Sequence, residues 1–570
     1  MKKIISFIKG GLIYISPLEN IRSLNKNIKS DILAGVTVAI IALPLALAFG
    51  EISRLGPVAG LWGAIVGGLF GGLFGGCMVG VSGPTAPKAT QIAAFMAFFV
   101  IGSTNEPDLT AAFSIIFLSG LILIFISFFK ISKFIHYTPY PVIAGFMCGI
   151  GLIVIVTQIN AFLGLEVENN ITNVFTNIGN SIKNLKVEAL YVSIPSMTML
   201  LLWDKFEKNS SFFAMFPAPL VVLIFGAGTA YIMNLDIPFI GDKMNISYQN
   251  KTLDFYMPDF SRTIDFIGPA MALAALAVLD SLLSCKVADN IMGDRHNSDR
   301  ETFGQGMANM AAGLVGGVTT ATATMRTVAN IKFGAKTPLA SIVHGLTLLA
   351  ILIGLGPLVS IIPNACLAAI LFKVGIDILD YRILAVIKKL PFMDWIVFFI
   401  VLIVTVFGDL LVAIGVGTLV AISFSQKEIK SIYNSGYQYR YSPFLKSNFV
   451  PKDKNYKEAN ALPVSVFQPK GPLFFGSVES LVHSYKLVPQ KEMLIFDFNY
   501  VTTIDLTCIF ALEDLMKKTK SENTKIFLIN VNSNIKSRIL NFSFFNNLYK
   551  SSYELTSNSI VPYIFKHYDI

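Results

Sequence analysis

The chain has 570 residues, of which 54% are hydrophobic and only 14% charged, with a formal net charge of +9. Its mean hydropathy of +0.63 assigns most of the length to a lipid bilayer and excludes a purely soluble protein. The positive charge does not imply a nucleic-acid partner, because the basic residues sit in loops beside apolar blocks, as the positive-inside rule describes.

Lys2, Lys3, Lys9, Arg22, Lys26 and Lys29 precede the first apolar block. They predict a cytoplasmic N-terminal segment over 1–30. The block itself is not a cleaved signal peptide, since some thirty polar and basic residues precede it and no cleavage site follows. Apolar blocks then recur at 33–50, 57–79, 113–129, 138–158, 190–203, 213–233, 266–284, 338–362, 365–374, 394–408 and 410–424. Each is near the roughly 20 residues that cross a bilayer as a helix, or a little short of it. Lys130 and Lys133, Lys205 and Lys208, Lys332 and Lys336, and Arg382, Lys388 and Lys389 mark further cytoplasmic loops. Counting 82–101, 303–316 and 319–331 as short or broken elements gives about fourteen segments across 31–425. An even number returns the C-terminus to the cytoplasm.

The five cysteines are scattered without a CxxC, the five histidines have no metal-ligand spacing, and no GxxxxGK[ST] phosphate loop is present. Redox, metal and ATP-driven chemistry therefore lack support, and no organic cofactor is expected.

Two polar interruptions carry the functional signal. They are "VSGPTAPKATQ" (81–91) and "GGVTTATATMRTVANI" (316–331). Each places threonines and small residues at the start of a short helical segment, early in one half of the membrane region. A matched pair of this kind points to an inverted-repeat transporter. A helix that begins inside the membrane has unpartnered N–H groups and the positive end of its dipole at that point. Two such ends brought together make an anion site, which Gly, Ala, Ser and Thr let a ligand approach closely. Polar loops at the membrane surface are the plain alternative. Asp280 is the third signal, an ionisable group after a long uncharged run, with Ser284 one turn later on the same face. A carboxylate and a hydroxyl suit Na⁺; the carboxylate could instead relay a proton, or pair structurally with Arg326 or Lys88.

After Ser425 the composition turns polar. Residues 426–461 read as a linker, and from Leu462 the chain reads as a small α/β domain. "PVSVFQP", "MLIFDF" and "KIFLINV" are strand-like, and a helical pattern begins at Asp505, a plausible N-cap. This region resembles a STAS domain on "FQPKGPLFFGSVESL" (467–481) and "LIFDFNYVTTIDLTCIFALEDL" (494–515). The resemblance puts Thr507 at the position phosphorylated in bacterial STAS relatives, with Cys508 where the pattern has Gly. Asp505 as an ordinary helix cap is the rival reading of the same residues.

The whole chain is similar to the SulP anion permease family. "DILAGVTVAIIALPLALAFG" (31–50), "VSGPTAPKAT" (81–90), "DSLLSCKVADNIMGDRHNSDRETFGQGMAN" (280–309), the 316–331 stretch and the STAS region carry the likeness. It implies an α-helical polytopic membrane protein of about 14 segments in two seven-segment inverted repeats, with core and gate domains, a cytoplasmic STAS domain (462–570) and a homodimer in the cell inner (plasma) membrane. It implies anion-binding residues Ser82, Gly83, Thr85, Ala86, Thr322, Ala323 and Thr324 at two facing helix ends, and the positive charges of Arg326 and Lys88 add both to the candidate anion site. "LDSLLS…VADN" with "ATATMRTVANI" resembles most the cyanobacterial sodium-dependent bicarbonate transporters. There the matching positions bind Na⁺, implying Asp280, Ser284 and Thr324 as ligands with backbone help from Thr322. Bacterial dicarboxylate members share Arg326 but tend to have Glu at the place of Asp280. Thr319 stands where many relatives have Pro, and Lys88 where the residue is usually apolar or small. The expected function is Na⁺-coupled uptake of bicarbonate or a similar small oxyanion by alternating access. A proton-coupled sulfate or C4-dicarboxylate transporter and a channel-like anion conductor are the alternatives, and no enzymatic activity is expected.

Overall fold

The structure is a computed structural model. It describes residues 17–101, 106–130, 138–166, 168, 171–209, 218–241, 255–292, 296–354, 361–408, 410–435, 438–444, 447, 462–486, 488, 492–521, 523–552 and 557–568. Lys2, Lys3, Lys9 and Lys133, part of the basic pattern above, lie outside these residues. The chain divides into two compact units, the first built from 1–135, 148–379 and 406–411 and the second from 136–147, 380–405 and 412–570.

The helices of the first unit, in order, are α1 (Leu18–Ser23), α2 (Ile28–Ile52), α3 (Pro57–Phe74), α4 (Ala86–Met96), α5 (Leu109–Phe128), α6 (Tyr140–Thr157, shared with the second unit), α7 (Ile171–Lys183), α8 (Val187–Asn209), α9 (Ala218–Ile232), α10 (Thr263–Met292), α11 (Ser298–Val315), α12 (Thr324–Lys332), α13 (Leu339–Gly354) and α14 (Asn364–Ile378). Two strands of two residues each, β1 (Ser82–Gly83) and β2 (Ala321–Thr322), precede α4 and α12. By length and composition, α2, α3, α5, α6 and α10 can each cross a bilayer, and α7 with α8 form a pair bent by 116° that adds up to one more span. Large apolar side chains such as Phe125, Ile194, Leu201, Ile224 and Ile264 remain exposed on these helices, as expected where the solvent is lipid.

The elements follow from local chemistry. Asp108 caps α5 by accepting from Ala111 N at 3.1 Å, and Asn297 caps α11 by accepting from Arg300 N at 3.1 Å. Helix α11 ends at Gly316, whose φ of 72° is left-handed. Buried polar side chains tie the ends together. Asp31 at the start of α2 accepts from Lys336 N at 2.8 Å and from the Thr337 hydroxyl at 2.6 Å. Asn20 of α1 donates to the Gly72 and Gly75 carbonyls at the end of α3 and accepts from Arg300 of α11 at 2.6 Å.

Several boundaries differ from the sequence reading. The element expected at 303–316 is a full helix, because the polar run "SDRE" is buried as its first turn. The block at 266–284 extends to 263–292. Helix α7 had no apolar block to announce it, having only Ile171, Val174 and Ser181 buried.

The second unit contains α15 (Tyr381–Val386), α16 (Phe392–Phe407), α17 (Leu410–Phe424), whose first residues belong to the first unit, α18 (Gln426–Ser435), and a five-stranded sheet. The sheet strands are β3 (Gln438–Pro443), β4 (Val464–Leu473), β5 (Met493–Asp497), β6 (Val501–Ile504) and β7 (Lys525–Ile529). Their order is β3-β4-β5-β7, with β6 also paired to β4. Strands β4, β5 and β7 are parallel, and β3 is the antiparallel edge, with Tyr441 opposite Phe467. Helices α19 (Val478–Lys486), α20 (Leu506–Ser521), α21 (Ser533–Ile539), α22 (Ser543–Ser552) and α23 (Ser557–His567) complete the unit. One face buries Val464, Val466, Met493, Ile495 and Phe527 against Ile560 and Ile564 of α23. The linker expectation for 426–461 is corrected here: its first part is helix α18 and its middle is edge strand β3. Tyr439 and Tyr441 alternate along this strand, with Ser442 buried and Arg440 and Tyr441 exposed, as suits an edge.

Helix α11 packs on α5 through backbone contact. A methyl group added at Gly120 would meet the Gly306 carbonyl oxygen and Met310 N, both at 2.6 Å. Small residues at such crossings are what allow helices to approach within a membrane. Gly120→Val is expected to force α5 from α11 and lower the thermal unfolding temperature of the purified protein, at a cost of about 1–3 kcal/mol. An unchanged midpoint would contradict the packing described.

Candidate functional site

The site is built where two chain segments stop being helical inside the apolar first unit. Strands β1 and β2 pair antiparallel, with Ser82 opposite Thr322 and Gly83 opposite Ala321. Ala323 N donates to the Val81 carbonyl at 3.0 Å, extending the ladder by one bond. Thr85 and Ala323 are the extended residues from which α4 and α12 start, and neither makes a side-chain cap. The crossing thus satisfies the strand backbone and leaves the first-turn N–H groups of both helices without side-chain partners.

Each helix returns a cation from its third residue to the segment that leads into the other helix. Lys88 of α4 is fully buried, and its Nζ donates to the Thr320 carbonyl just before β2, with Asn309 Oδ1 at 3.5 Å. It does not reach to a membrane surface. Arg326 of α12 is 2% exposed and donates through Nη2 to the Pro84 carbonyl just before α4. Gly83 carries no Cβ where the Arg326 guanidinium lies against it. Arg326 Nη1 is buried with no hydrogen-bond partner.

Helix α10 flanks the crossing. The Asp280 carboxylate sits against the Thr85 hydroxyl and within electrostatic reach of Lys88 and Arg326, while its Oδ2 and Thr85 Oγ1 are buried without a hydrogen bond of good geometry. Ser284 Oγ bonds the Asp280 carbonyl at 2.9 Å and the Thr324 hydroxyl at 2.7 Å. Ser281 Oγ accepts from Thr322 N at 3.1 Å. Of the residues read from sequence as one cluster, Ser284 and Thr324 meet through their hydroxyls, and Ser284 meets Asp280 through the backbone carbonyl one turn back. Oxygen donors of this kind, with one free carboxylate oxygen, fit a hard monovalent cation. Thr322 divides its roles. Its hydroxyl donates to Glu301 on the other side of the ladder, so only its backbone faces α10. Ser82 Oγ likewise faces Thr322 Oγ1, at 3.2 Å, and Gln305 Nε2, at 2.7 Å. Ala86 and Ala323 bring no polar atom and leave the helix starts open.

The sequence reading expected an element at 303–316 but missed the part that α11 plays at the site. Glu301, Gln305 and Asn309 are buried on one face of it. Asn309 Nδ2 donates to the Thr320 carbonyl at 2.9 Å, and its Oδ1 accepts from Thr320 N at 2.8 Å. Their spacing of four residues was visible as a polar stripe along a helix, and it was the available signal.

Thr507 lies in the second unit. Its hydroxyl accepts from Tyr140 N at 3.0 Å, the first N–H of α6. Around it Tyr140 OH donates to Asp380 at 2.5 Å, Arg382 pairs with Asp514 at 3.1 Å, and the Arg382 guanidinium lies 4.3 Å from the Phe510 ring centroid. Asp505 is the N-cap of α20, accepting from Cys508 N at 2.8 Å, and also accepts from Phe475 N at 2.7 Å. Burial pushes its carboxyl up to about 7, against the pull of these bonds. Cys508, in place of Gly, is buried with its Sγ 3.4 Å from the Phe474 carbonyl.

An apolar helical unit holding two helix starts and two inward cations has the chemistry to receive an anion. Residues 28–401 match the sulfate permease family and residues 456–555 the STAS domain, so the chain belongs to the sulfate permease (SulP) family and ends in a STAS domain. It is 31% identical over 523 residues to the bicarbonate transporter BicA of Picosynechococcus sp., covering 90% of each chain. It is 22% identical over 534 residues to sulfate transporter 1.2 of Arabidopsis thaliana, covering 89% of this chain and 80% of that one. The solved transmembrane domain of a cyanobacterial BicA superposes with a TM-score of 0.61 at 33% identity, over 68% of this chain and 98% of that one.

The Thr507–Tyr140 bond is a helix cap supplied from a distant part of the sequence. Thr507→Val is expected to cost about 1 kcal/mol and to speed hydrogen exchange at the start of α6 while α2 is unaffected. Unaltered exchange there would contradict the cap.

Proposed function

We propose that this protein takes up bicarbonate, or a similar small oxyanion, together with Na⁺ by alternating access. The observation that carries the proposal is the buried Asp280 carboxylate, whose Oδ2 has no partner, one helical turn before Ser284, which in turn bonds Thr324 at the start of α12. Na⁺, as a co-substrate, would take Asp280, Ser284, Thr324 and the Thr322 backbone as its partners. The anion would take the first N–H groups of α4 and α12, Thr85 Oγ1 and Arg326 Nη1. The similarity to bicarbonate transporters supports the choice of anion. The reciprocal placement of Lys88 and Arg326, each third in its helix, supports two inverted repeats. The family relationship and the basic loops support a homodimer in the plasma membrane with both termini and the STAS domain in the cytoplasm. Thr507, already engaged with Tyr140, is proposed as a regulatory position of that domain.

A second reading, proton-coupled sulfate or dicarboxylate transport, is favoured by the two buried cations. Attraction over about 6 Å at an effective dielectric near 20 is worth roughly 3 kcal/mol per unit charge. A divalent anion gains about twice as much.

The test is uptake of labelled bicarbonate, sulfate and succinate into proteoliposomes, with and without a Na⁺ gradient. Bicarbonate uptake stimulated by Na⁺ is expected. Asp280→Asn should abolish that stimulation, because an amide does not balance a cation's charge in a low-dielectric site. Arg326→Ala should weaken competition by sulfate more than by bicarbonate. Uptake that follows a pH gradient and ignores Na⁺ would overturn the sodium reading, and currents too large for a carrier cycle would favour a channel.

A further inference from the structure

Glu301 of α11 takes no part in the ligand contacts proposed above, yet it touches the approaches to both helix starts. Its Oε2 accepts from Gly76 N and Cys77 N, each at 2.9 Å, on the segment that runs from α3 into β1. Its Oε1 accepts from the Thr322 hydroxyl of β2 and from Gln305 Nε2 at 2.9 Å. Gln305, one turn further along α11, shares the same amide with Ser82 Oγ at 2.7 Å and Thr322 Oγ1 at 2.8 Å. Among the described residues no lysine or arginine pairs with Glu301. Four neutral donors therefore converge on one carboxylate, two from each side of the crossing or its support. Strands of two residues have too few ladder bonds to fix their own register, so the register depends on what grips them from outside.

We infer that Glu301 is a positioning residue for the ligand site, clamping the approach to α4 and the approach to α12 onto one helix so that the two helix starts keep a fixed spacing and move as one body. The inference rests on the site proposed above. The chemistry calls for a carboxylate. An amide at this position turns an NH₂ group toward either the two backbone donors or the Thr322 and Gln305 donors, and a buried donor is left facing a donor. Aspartate, one methylene shorter, cannot span both sides. The clamp also explains why Thr322, though in the middle of the site, offers its hydroxyl to α11 and only its backbone to α10.

The experiment pairs two readouts on the full-length protein in lipid nanodiscs or proteoliposomes. Hydrogen exchange by mass spectrometry in Glu301→Gln is expected to accelerate about tenfold or more in both 74–85 and 316–327, with 525–529 of the second unit unchanged. Labelled bicarbonate uptake should show a KM raised by about tenfold, with the maximal rate per folded transporter held within about twofold. Acceleration in one segment alone, or in neither, overturns the clamp, as does a fall in maximal rate at constant KM. If Glu301→Gln does not fold, Thr322→Val removes the β2 arm together with the Ser82 contact but leaves the Gly76 and Cys77 bonds to Glu301, and should accelerate 316–327 but not 74–78; the opposite pattern contradicts the inference. If the unsubstituted protein takes up no bicarbonate, the functional reading fails by itself, and the exchange measurement alone decides the clamp.

Discussion

The pairing of Ser82–Gly83 with Ala321–Thr322 is the constraint around which the first unit is arranged. In hydrocarbon an unpaired backbone group costs several kcal/mol, so a chain can leave the helical state only where something else accepts its bonds. Here each interruption is the other's partner. That exchange is what permits two helices to begin inside the protein, and with them the bare first-turn N–H groups that an anion can use. The glycine contact between α5 and α11 brings a polar helix face close enough to hold the crossing, and α10 holds it from the other side through Ser281.

Charge balance at the crossing bears on what it can carry. Two basic side chains, Lys88 and Arg326, lie around the carboxyl group of Asp280, and the carboxyl group of Glu301 stands on the other side of the ladder. Glu301 is met by neutral donors, so the cations act chiefly on Asp280 and on whatever enters. A monovalent anion accompanied by one Na⁺ leaves this balance undisturbed, which suits a loaded site that must move through a low-dielectric environment. A divalent anion would need two accompanying charges. On the proposed reading, the fixed cations raise the affinity for an anion, and the carboxylate makes that affinity depend on a cation.

Much of this was legible in the sequence, for physical reasons. Membrane helices are announced by long apolar runs, and the two starts by small residues and threonines where apolar residues are expected. The nearness of Asp280, Ser284 and Thr324 rested on helix periodicity and on a family resemblance, and both pointed the same way. The contribution of α11 was not legible in the same manner. "DRETFGQGMAN" mixes charged and small residues, and only the three-dimensional crossing shows that Glu301, Gln305 and Asn309 are buried against backbone and not solvated. Lys88 was ambiguous because a lysine stem can carry its charge either to a surface or inward, and only packing decides. Strand β3 was hidden in a polar stretch because an edge strand needs just one buried face.

The central claim is that anion and cation meet at this crossing, between Arg326 Nη1 and Asp280 Oδ2. The most direct measurement is anomalous scattering from crystals grown with bromide as the monovalent-anion probe and Tl⁺ as the monovalent-cation probe. The account predicts an anion peak within about 3–4 Å of Arg326 Nη1 and the starts of α4 and α12, and a cation peak among Asp280, Ser284 and Thr324. Peaks elsewhere, with Arg326 Nη1 and Asp280 Oδ2 still without partners, would contradict it.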